Sequence, residues 1–218
     1  MKTLDLARPG VWGQLFVQSL RLMDHLESQV KQAQWSFGGG TVLMLRMGHR
    51  LSKDIDLFVP DPQYLGHVSP RLSDVAEEIS TDYEENAEYL KFFLPAGEID
   101  IVVGTALTDR PFEVVQYAGR DIRFETNAEI IAKKMWHRGD QGKARDLFDL
   151  CAVATADPAA IAQAAPFFAR QGAAFLSRLE LRAEFLEAEF KAIDSLDFTM
   201  PFAECLQLAR HIVGSALK

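Results

Sequence analysis

The chain has 218 residues, 48% of them hydrophobic and 25% charged, a balance that excludes disordered and fibrous classes. That length suits one large domain or two small ones, either able to bury a core that holds a site rigidly. The formal net charge of -8 argues against broad attraction to nucleic acid, so any such contact has to be local.

No amino-terminal stretch joins a basic start to an apolar run, and no run of about 18 apolar residues occurs, so neither an export signal nor a membrane span is expected. Cys151 and Cys205 sit in apolar helical contexts, where a cysteine behaves as a small buried hydrophobe; a reducing, cytoplasmic compartment fits them.

In chain order, Phe16, Leu20, Met23, Leu26 and Val30 recur at helical spacing and predict an amphipathic helix over 11–34. Gly38-Gly39-Gly40 breaks that pattern, and a short helix over 41–47, a turn at Gly48 and a strand over 55–59 closed by Pro60 follow. A helix is predicted over 71–79, then strands over 89–94, 99–103, 114–117 and 121–124. The acidic run from Asp82 to Glu88 reads as a solvated edge. After residue 126 the strand signals stop, and helices are predicted over 128–138, 143–154, 158–170, 173–193 and 201–217. Asp157 is placed to cap the third of these, and Pro166 to kink or split it. The fold class is therefore α+β: a mixed sheet with flanking helices in residues 1–126, and a helical bundle in 127–218.

The chemistry concentrates between Phe37 and Phe58. Gly39 and Gly40 allow close approach of the backbone to a ligand, and a helix opening at Thr41 would turn free N–H groups toward an anion such as a triphosphate. Asp54 and Asp56 alternate with Ile55 and Leu57, so both carboxylates leave one face of a strand, roughly 6 to 7 Å apart at the backbone. Two carboxylates on one face repel each other unless a cation compensates, and hard oxygen ligands suit Mg²⁺ held together with phosphates. Asp100, in the strand Glu98-Ile-Asp-Ile-Val-Val103, is the candidate third carboxylate, with Glu98 a solvated residue at the strand start.

A second constellation lies downstream. Five Lys or Arg stand between Lys133 and Arg145 against one acid, Asp140. Lys134 and Arg138 share a helix face, as do Asp146 and Asp149. A lysine there would hold phosphate oxygens, and an aspartate would fix that lysine or accept a proton; an interhelical salt-bridge network is the competing reading. His49 and His137 have no Cys or His partners at metal-ligand spacing, which argues against zinc and leaves them to loop and surface packing.

Gly39-Gly40-Thr41, Ser52-Lys-Asp54-Ile-Asp56-Leu-Phe58, Lys134 and Arg145-Asp146-Leu-Phe-Asp149-Leu together resemble the AbiEii/AbiGii toxin family of nucleotidyltransferase-like proteins, over roughly residues 36–151. The resemblance implies a DNA polymerase β-type nucleotidyltransferase fold with a helical carboxy-terminal part, and the toxin half of a toxin-antitoxin or phage-defence pair. It implies that Gly39, Gly40, Thr41 and Ser52 surround the phosphates of a nucleoside triphosphate. Asp54 and Asp56 become ligands of Mg²⁺, Lys134 a nucleotide contact, and Asp146 a catalytic or orienting group. Such proteins usually carry an acid before the helical lysine, whereas this chain has Ala132-Lys133-Lys134; the register of the flanking apolar residues assigns the role to Lys134.

The expected activity is Mg²⁺-dependent transfer of a nucleotidyl group from a nucleoside triphosphate to a hydroxyl, on RNA and specifically transfer RNA, with a cognate antitoxin protein as partner. A small-molecule or protein-side-chain acceptor, and a non-catalytic nucleotide- or partner-binding module, are the alternatives.

Overall fold

A computed structural model describes residues 4–217. Helix α1, Trp12–Gln29, buries Leu15, Phe16, Leu22, Met23 and Leu26 along one side, as the apolar spacing predicts. It ends short of Gln34 because Val30 turns to extended backbone and Gln32 takes a positive φ of 60°, which no helix accommodates.

That turn frees the chain for a strand the sequence did not announce, β1 (Ser36–Gly38), too short for alternation to show. Helix α2 (Gly39–Met47) starts two residues earlier than predicted and stops at Gly48, which adopts the left-handed φ of 65° that closes helices cheaply. Strand β2 (Ile55–Val59) follows, then two short helices, α3 (Gln63–Val68) and α4 (Asp74–Ile79); α3 was not anticipated. Strands β3 (Tyr83–Glu85), β4 (Tyr89–Leu94), β5 (Gly97–Val103), β6 (Phe112–Tyr117) and β7 (Arg120–Glu125) complete the amino-terminal half.

The seven strands form one mixed sheet in the order β3-β4-β5-β2-β1-β7-β6, with β2/β5 and β1/β7 parallel and the other neighbours antiparallel. The acidic run becomes the outer strand β3, a solvated edge as expected. One face of the centre is apolar: Ile55, Leu57, Ile99 and Ile101 are fully buried, and α1 packs against β2 and β5. Phe16 of α1 stacks on Phe37 of β1 with centroids 4.8 Å apart, and Phe124 of β7 lies 5.6 Å from Phe37. Because successive side chains alternate, Asp54, Asp56 and Asp100 are left on the opposite face.

The strands end at Thr126, whose hydroxyl caps α5 (Asn127–Arg138) by accepting from Glu129 N. Helices α6 (Ala144–Ala156), α7 (Pro158–Ala164), α8 (Gly172–Leu181), α9 (Ala183–Lys191) and α10 (Phe202–Ala216) make up the rest. Asp157 caps α7 as predicted, and Pro166 falls in a 3-10 segment, Ala165–Ala169, that ends it. The single helix predicted over 173–193 is broken at Arg182 (φ -116°, ψ 22°), because its halves serve different neighbours: α8 packs on α10, and α9 on α6. Cys151 and Cys205 are free and buried. No described helix is long and apolar enough to cross a membrane.

Candidate functional site

Across the polar face of the sheet, residues from four strands fall in one transverse row. Lys91 of β4 is in register with Asp100 of β5, Asp100 with Asp56 of β2, and Asp56 with Gly38 of β1. Adjacent strands in such a row are about 4.8 Å apart, so the carboxylates of Asp56 and Asp100, 44 residues apart in sequence, stand side by side.

The glycine loop closes against this row. Gly39 has a φ of 70°, and a Cβ there would come within 1.9 Å of Asp56 Oδ2. Only glycine lets the backbone lie against that carboxylate. Gly40 is similarly tight, with Arg50 Nη2 and Ser52 Oγ at 2.7 and 3.0 Å from an added Cβ. Thr41 is fully buried, its Oγ1 lying 2.6 Å from the Asp54 carbonyl oxygen and 3.0 Å from Ser52 Oγ. A hydroxyl has one proton, so Thr41 donates to the carbonyl and accepts from Ser52. Its side chain fixes the loop to the start of β2 rather than facing outward.

Electrostatically the acids differ. Burial pushes the Asp56 carboxyl up, against the pull of Arg138 and Lys134, and the charge on Asp54 adds to the rise. Asp100 is pushed up to about 6, first by burial and then by the negative charge of Asp56, while Lys91 pulls the other way. Lys91 Nζ lies 2.7 Å from Glu98 Oε2 and 3.3 Å from Asp100 Oδ1. The second contact is an ion pair without hydrogen-bond alignment, so Asp100 Oδ1 is buried with no hydrogen-bond partner. Glu98, read as solvated, is a half-exposed partner of Lys91. Asp54 Oδ1 accepts from the backbone N–H of Glu98 at 3.1 Å, tying the start of β2 to β5.

Facing the acids is a buried charge network from the helical half. Lys134 Nζ donates to Asp146 Oδ1 at 2.6 Å and lies 2.9 Å from Asp149 Oδ2, and Arg138 Nη2 reaches the same Asp146 oxygen at 2.7 Å. Burial opposes ionisation of Asp146, yet Lys134 and Arg138 outweigh it and hold the carboxyl at about 2. Asp149, fully buried, accepts a bidentate pair from Arg50 at 2.7 and 2.9 Å and meets His49 Nε2 at 2.8 Å. The assignment of His49 to loop and surface packing is thus corrected: it is 1% exposed, and its polar atom is taken up by a carboxylate 100 residues away. His137 is exposed, as expected.

The adjacent lysines part company. Lys133 Nζ turns to Glu125 (2.6 Å) and Glu129 (3.5 Å) and lies 3.8 Å over the Phe58 ring. Lys134 is the one whose charge reaches Asp56. Glu125, also bonded to Ser36 Oγ, stands behind the loop, its Oε2 at 2.2 Å from where a Gly38 Cβ would be. Arg50, Glu125 and Lys91 are site-forming residues not singled out from the sequence. Only Lys91 left a signal there, since it occupies the row position of a strand that could be predicted.

Among the described residues no three His, Cys, Asp or Glu side chains converge closely enough to enclose a metal ion. The donors nevertheless fit a hard divalent cation in kind. Two parallel-strand aspartates share a face, both carboxyls are raised, chiefly by burial and then by the charge of a neighbouring acid, and one buried oxygen lacks a hydrogen bond. Such a cation completes its shell from phosphate and water rather than from protein alone.

A glycine loop opening a helix beside paired strand aspartates, with buried cations opposite, defines a nucleotidyltransferase. Residues 21–213 match the family described as nucleotidyl transferase AbiEii toxin, type IV TA system, and the chain belongs to that family. No curated protein matches it significantly. Among solved structures it is similar to a putative nucleotidyltransferase from H. pylori (17% identity, TM-score 0.47, covering 94% of this chain and 95% of that one). It is also similar to an antigenic nucleotidyltransferase-like protein from Paracoccidioides brasiliensis (14%, 0.38, 81% and 92%). A third is a STING-associated CdnE c-di-GMP synthase from Capnocytophaga granulosa (10%, 0.33, 95% and 80%).

Proposed function

We propose that this nucleotidyltransferase moves a nucleotidyl group from a nucleoside triphosphate to a hydroxyl on RNA, with transfer RNA the expected acceptor, and that it uses Mg²⁺. The observation that carries the reading is the transverse row: Asp100, Asp56 and the Gly38-Gly39 backbone side by side on one sheet face, with Lys134 and Arg138 opposite. Asp54, Asp56 and Asp100 would each offer oxygens to cations whose shells phosphate and water complete, rather than enclose one ion between them, and such a cation when bound would neutralise charge developing on the α-phosphate and orient it.

The chain's own residues do the remainder. Gly39 and Gly40 bring backbone close to the phosphates, and Ser52, hydrogen-bonded to Thr41, holds the loop at its distance from Asp54. Lys134 supplies positive charge toward the phosphates, and Asp146, kept ionised, fixes its Nζ. Asp100, side by side with Asp56 in the row and with its Oδ1 lacking a hydrogen bond, is placed both to help hold a cation and to lie near the attacking hydroxyl. Positioning and preorganised charge account for most of the rate gain in such a site.

The acceptor is read as RNA because Lys53, Lys143 and Arg145 cluster near the acids of a chain that is otherwise negative. A cognate antitoxin and a cytoplasmic setting accord with the type IV toxin-antitoxin description of the family. The test is incubation with each labelled nucleoside triphosphate, Mg²⁺ and bacterial total RNA. Label should enter a transfer-RNA-sized band with the native protein and not with Asp54→Ala/Asp56→Ala. Triphosphate binding without label in any RNA would overturn the acceptor, and unchanged transfer by the double variant would overturn the site.

A further inference from the structure

The charges of the helical half do not balance. Asp149 accepts from Arg50 with both oxygens and also meets His49 and Lys134. Asp146 serves two cations through one oxygen, with Lys134 Nζ at 2.6 Å and Arg138 Nη2 at 2.7 Å. Arg50, Lys134 and Arg138 therefore share two carboxylates, which leaves a positive charge in excess. Lys143, which precedes α6, adds to the surplus: burial and then the charge of Arg138 push its ammonium down. Asp56, across the site, feels these cations, yet its carboxyl is raised rather than lowered, so it does not make up the difference. A charge withdrawn from water without a counter-charge is costly, and the network is built to receive a further anion.

Arg138 is the member with donors to spare. Its Nη2 is engaged by Asp146, its Nε is buried without a hydrogen-bond partner, and no hydrogen bond engages its Nη1 among the described residues. Its side chain is also the one a ligand can reach, at 32% exposed against 8% for Lys134 and 6% for Arg50. It stands one helical turn beyond Lys134 on the same face of α5. Of all the cations it exerts the largest pull on the Asp56 carboxyl, which places it toward the acids of the sheet. A guanidinium carries its donors in a planar fork that meets phosphate oxygens two at a time, whereas an ammonium acts as a point charge.

We infer that Arg138 is a further phosphate-binding residue of this site: Asp146 holds its guanidinium by one nitrogen, and the remaining donors meet phosphate oxygens of the triphosphate beside Lys134. The inference rests on the nucleotidyl-transfer reading of the Asp54 site. It gives Asp146 two arms to place, one on Lys134 and one on Arg138, and it makes the anion that the helical half lacks the substrate itself.

The test measures equilibrium binding of ATP, GTP, CTP and UTP with Mg²⁺ and without acceptor, alongside thermal unfolding. Arg138→Gln removes the charge but keeps an amide that can donate to Asp146. Arg138→Lys keeps the charge but has a single ammonium to divide between Asp146 and the ligand. Arg210→Gln removes the same charge from an exposed pair with Glu180. Arg138→Gln should weaken the triphosphate that the native protein binds best by about tenfold or more. Arg138→Lys should weaken it by about threefold or more, and Arg210→Gln should leave it within about twofold. Unchanged affinity in Arg138→Gln, whatever its Tm, makes Arg138 an anchor of Asp146 alone and overturns the inference. Equal weakening by Arg210→Gln also overturns it, since net charge would then account for the loss. Should Arg138→Gln fail to fold, Arg138→Lys decides, and native affinity in that variant overturns the contact. Failure of the native protein to bind any triphosphate overturns the nucleotidyl-transfer reading instead.

Discussion

Removing the Asp149 carboxylate should unfold the protein more readily than any other single truncation in the helical half. Asp149 is fully buried and meets three basic side chains at once: Arg50 through two hydrogen bonds, His49 at 2.8 Å and Lys134 at 2.9 Å. Burial raises its carboxyl, but Arg50 and Lys134 hold it well below the usual range, so it is ionised at every working pH. Asp149→Ala leaves the Arg50 guanidinium buried against no counter-charge. Breaking a buried pair in this way costs about 3–5 kcal/mol, out of a total stability on the order of 5–15 kcal/mol. For a chain of this length 1 kcal/mol moves Tm by roughly 2–4 °C, so a fall of about 6–20 °C is expected. The assay is urea and thermal unfolding of Asp149→Ala, Arg50→Met and Asp149→Ala/Arg50→Met. The double variant should lose less than the sum of the singles, because it leaves neither charge stranded. Asp149→Ala within about 1 kcal/mol of the native protein, or strict additivity in the cycle, would refute the account.

Two further outcomes follow from the row of residues on the sheet. Gly39→Ala puts a side chain at φ 70° and on top of Asp56 Oδ2; it should cost about 1–3 kcal/mol in backbone strain and lower transfer at least a hundredfold, as read by unfolding and by label incorporation. Asp100 has a folded carboxyl raised to about 6 from 3.8, so the folded chain binds the extra proton. In metal-free buffer, stability should therefore fall as pH rises from about 4 to about 6, by at most roughly 3 kcal/mol. Asp100→Asn should flatten that slope in chelator-treated protein while losing transfer activity, leaving the part that the raised Asp56 and Glu125 carboxyls contribute, and a slope unchanged by the substitution would assign all of it to those groups.

What the sequence made legible was what the chain brings together locally. The alternation Asp54-Ile-Asp-Leu-Phe58 declares a strand with two acids on one face, and the glycine triplet declares a break before a helix, because both signals depend on residues within a turn or two. Asp157 and Pro166 announced a cap and a split for the same reason. β1 was lost because three residues cannot show a period, and its last residue, Gly38, looks like loop. The break at Arg182 was invisible because the apolar stripe continues across it; only the direction of packing changes. The Asp149 hub joins residues 99 and 100 positions apart, and nothing local to His49 or Arg50 reports a partner at that distance. Lys133 and Lys134 are neighbours in a run whose composition is the same for both, and only the helix's rotation sends one to Glu125 and the other to Asp146.

The span of that hub also sets an order of events during synthesis. His49 and Arg50 leave the ribosome about a hundred residues before the aspartate that neutralises them. At about 5–20 residues per second that is an interval of roughly 5–20 seconds. Through that interval the glycine loop and Asp54 exist as chain, but Arg50, which lies against Gly40, has no anchor. A nucleotidyltransferase built this way completes the anchor of its glycine loop only after Asp149 has been made, with about two thirds of the chain already synthesised.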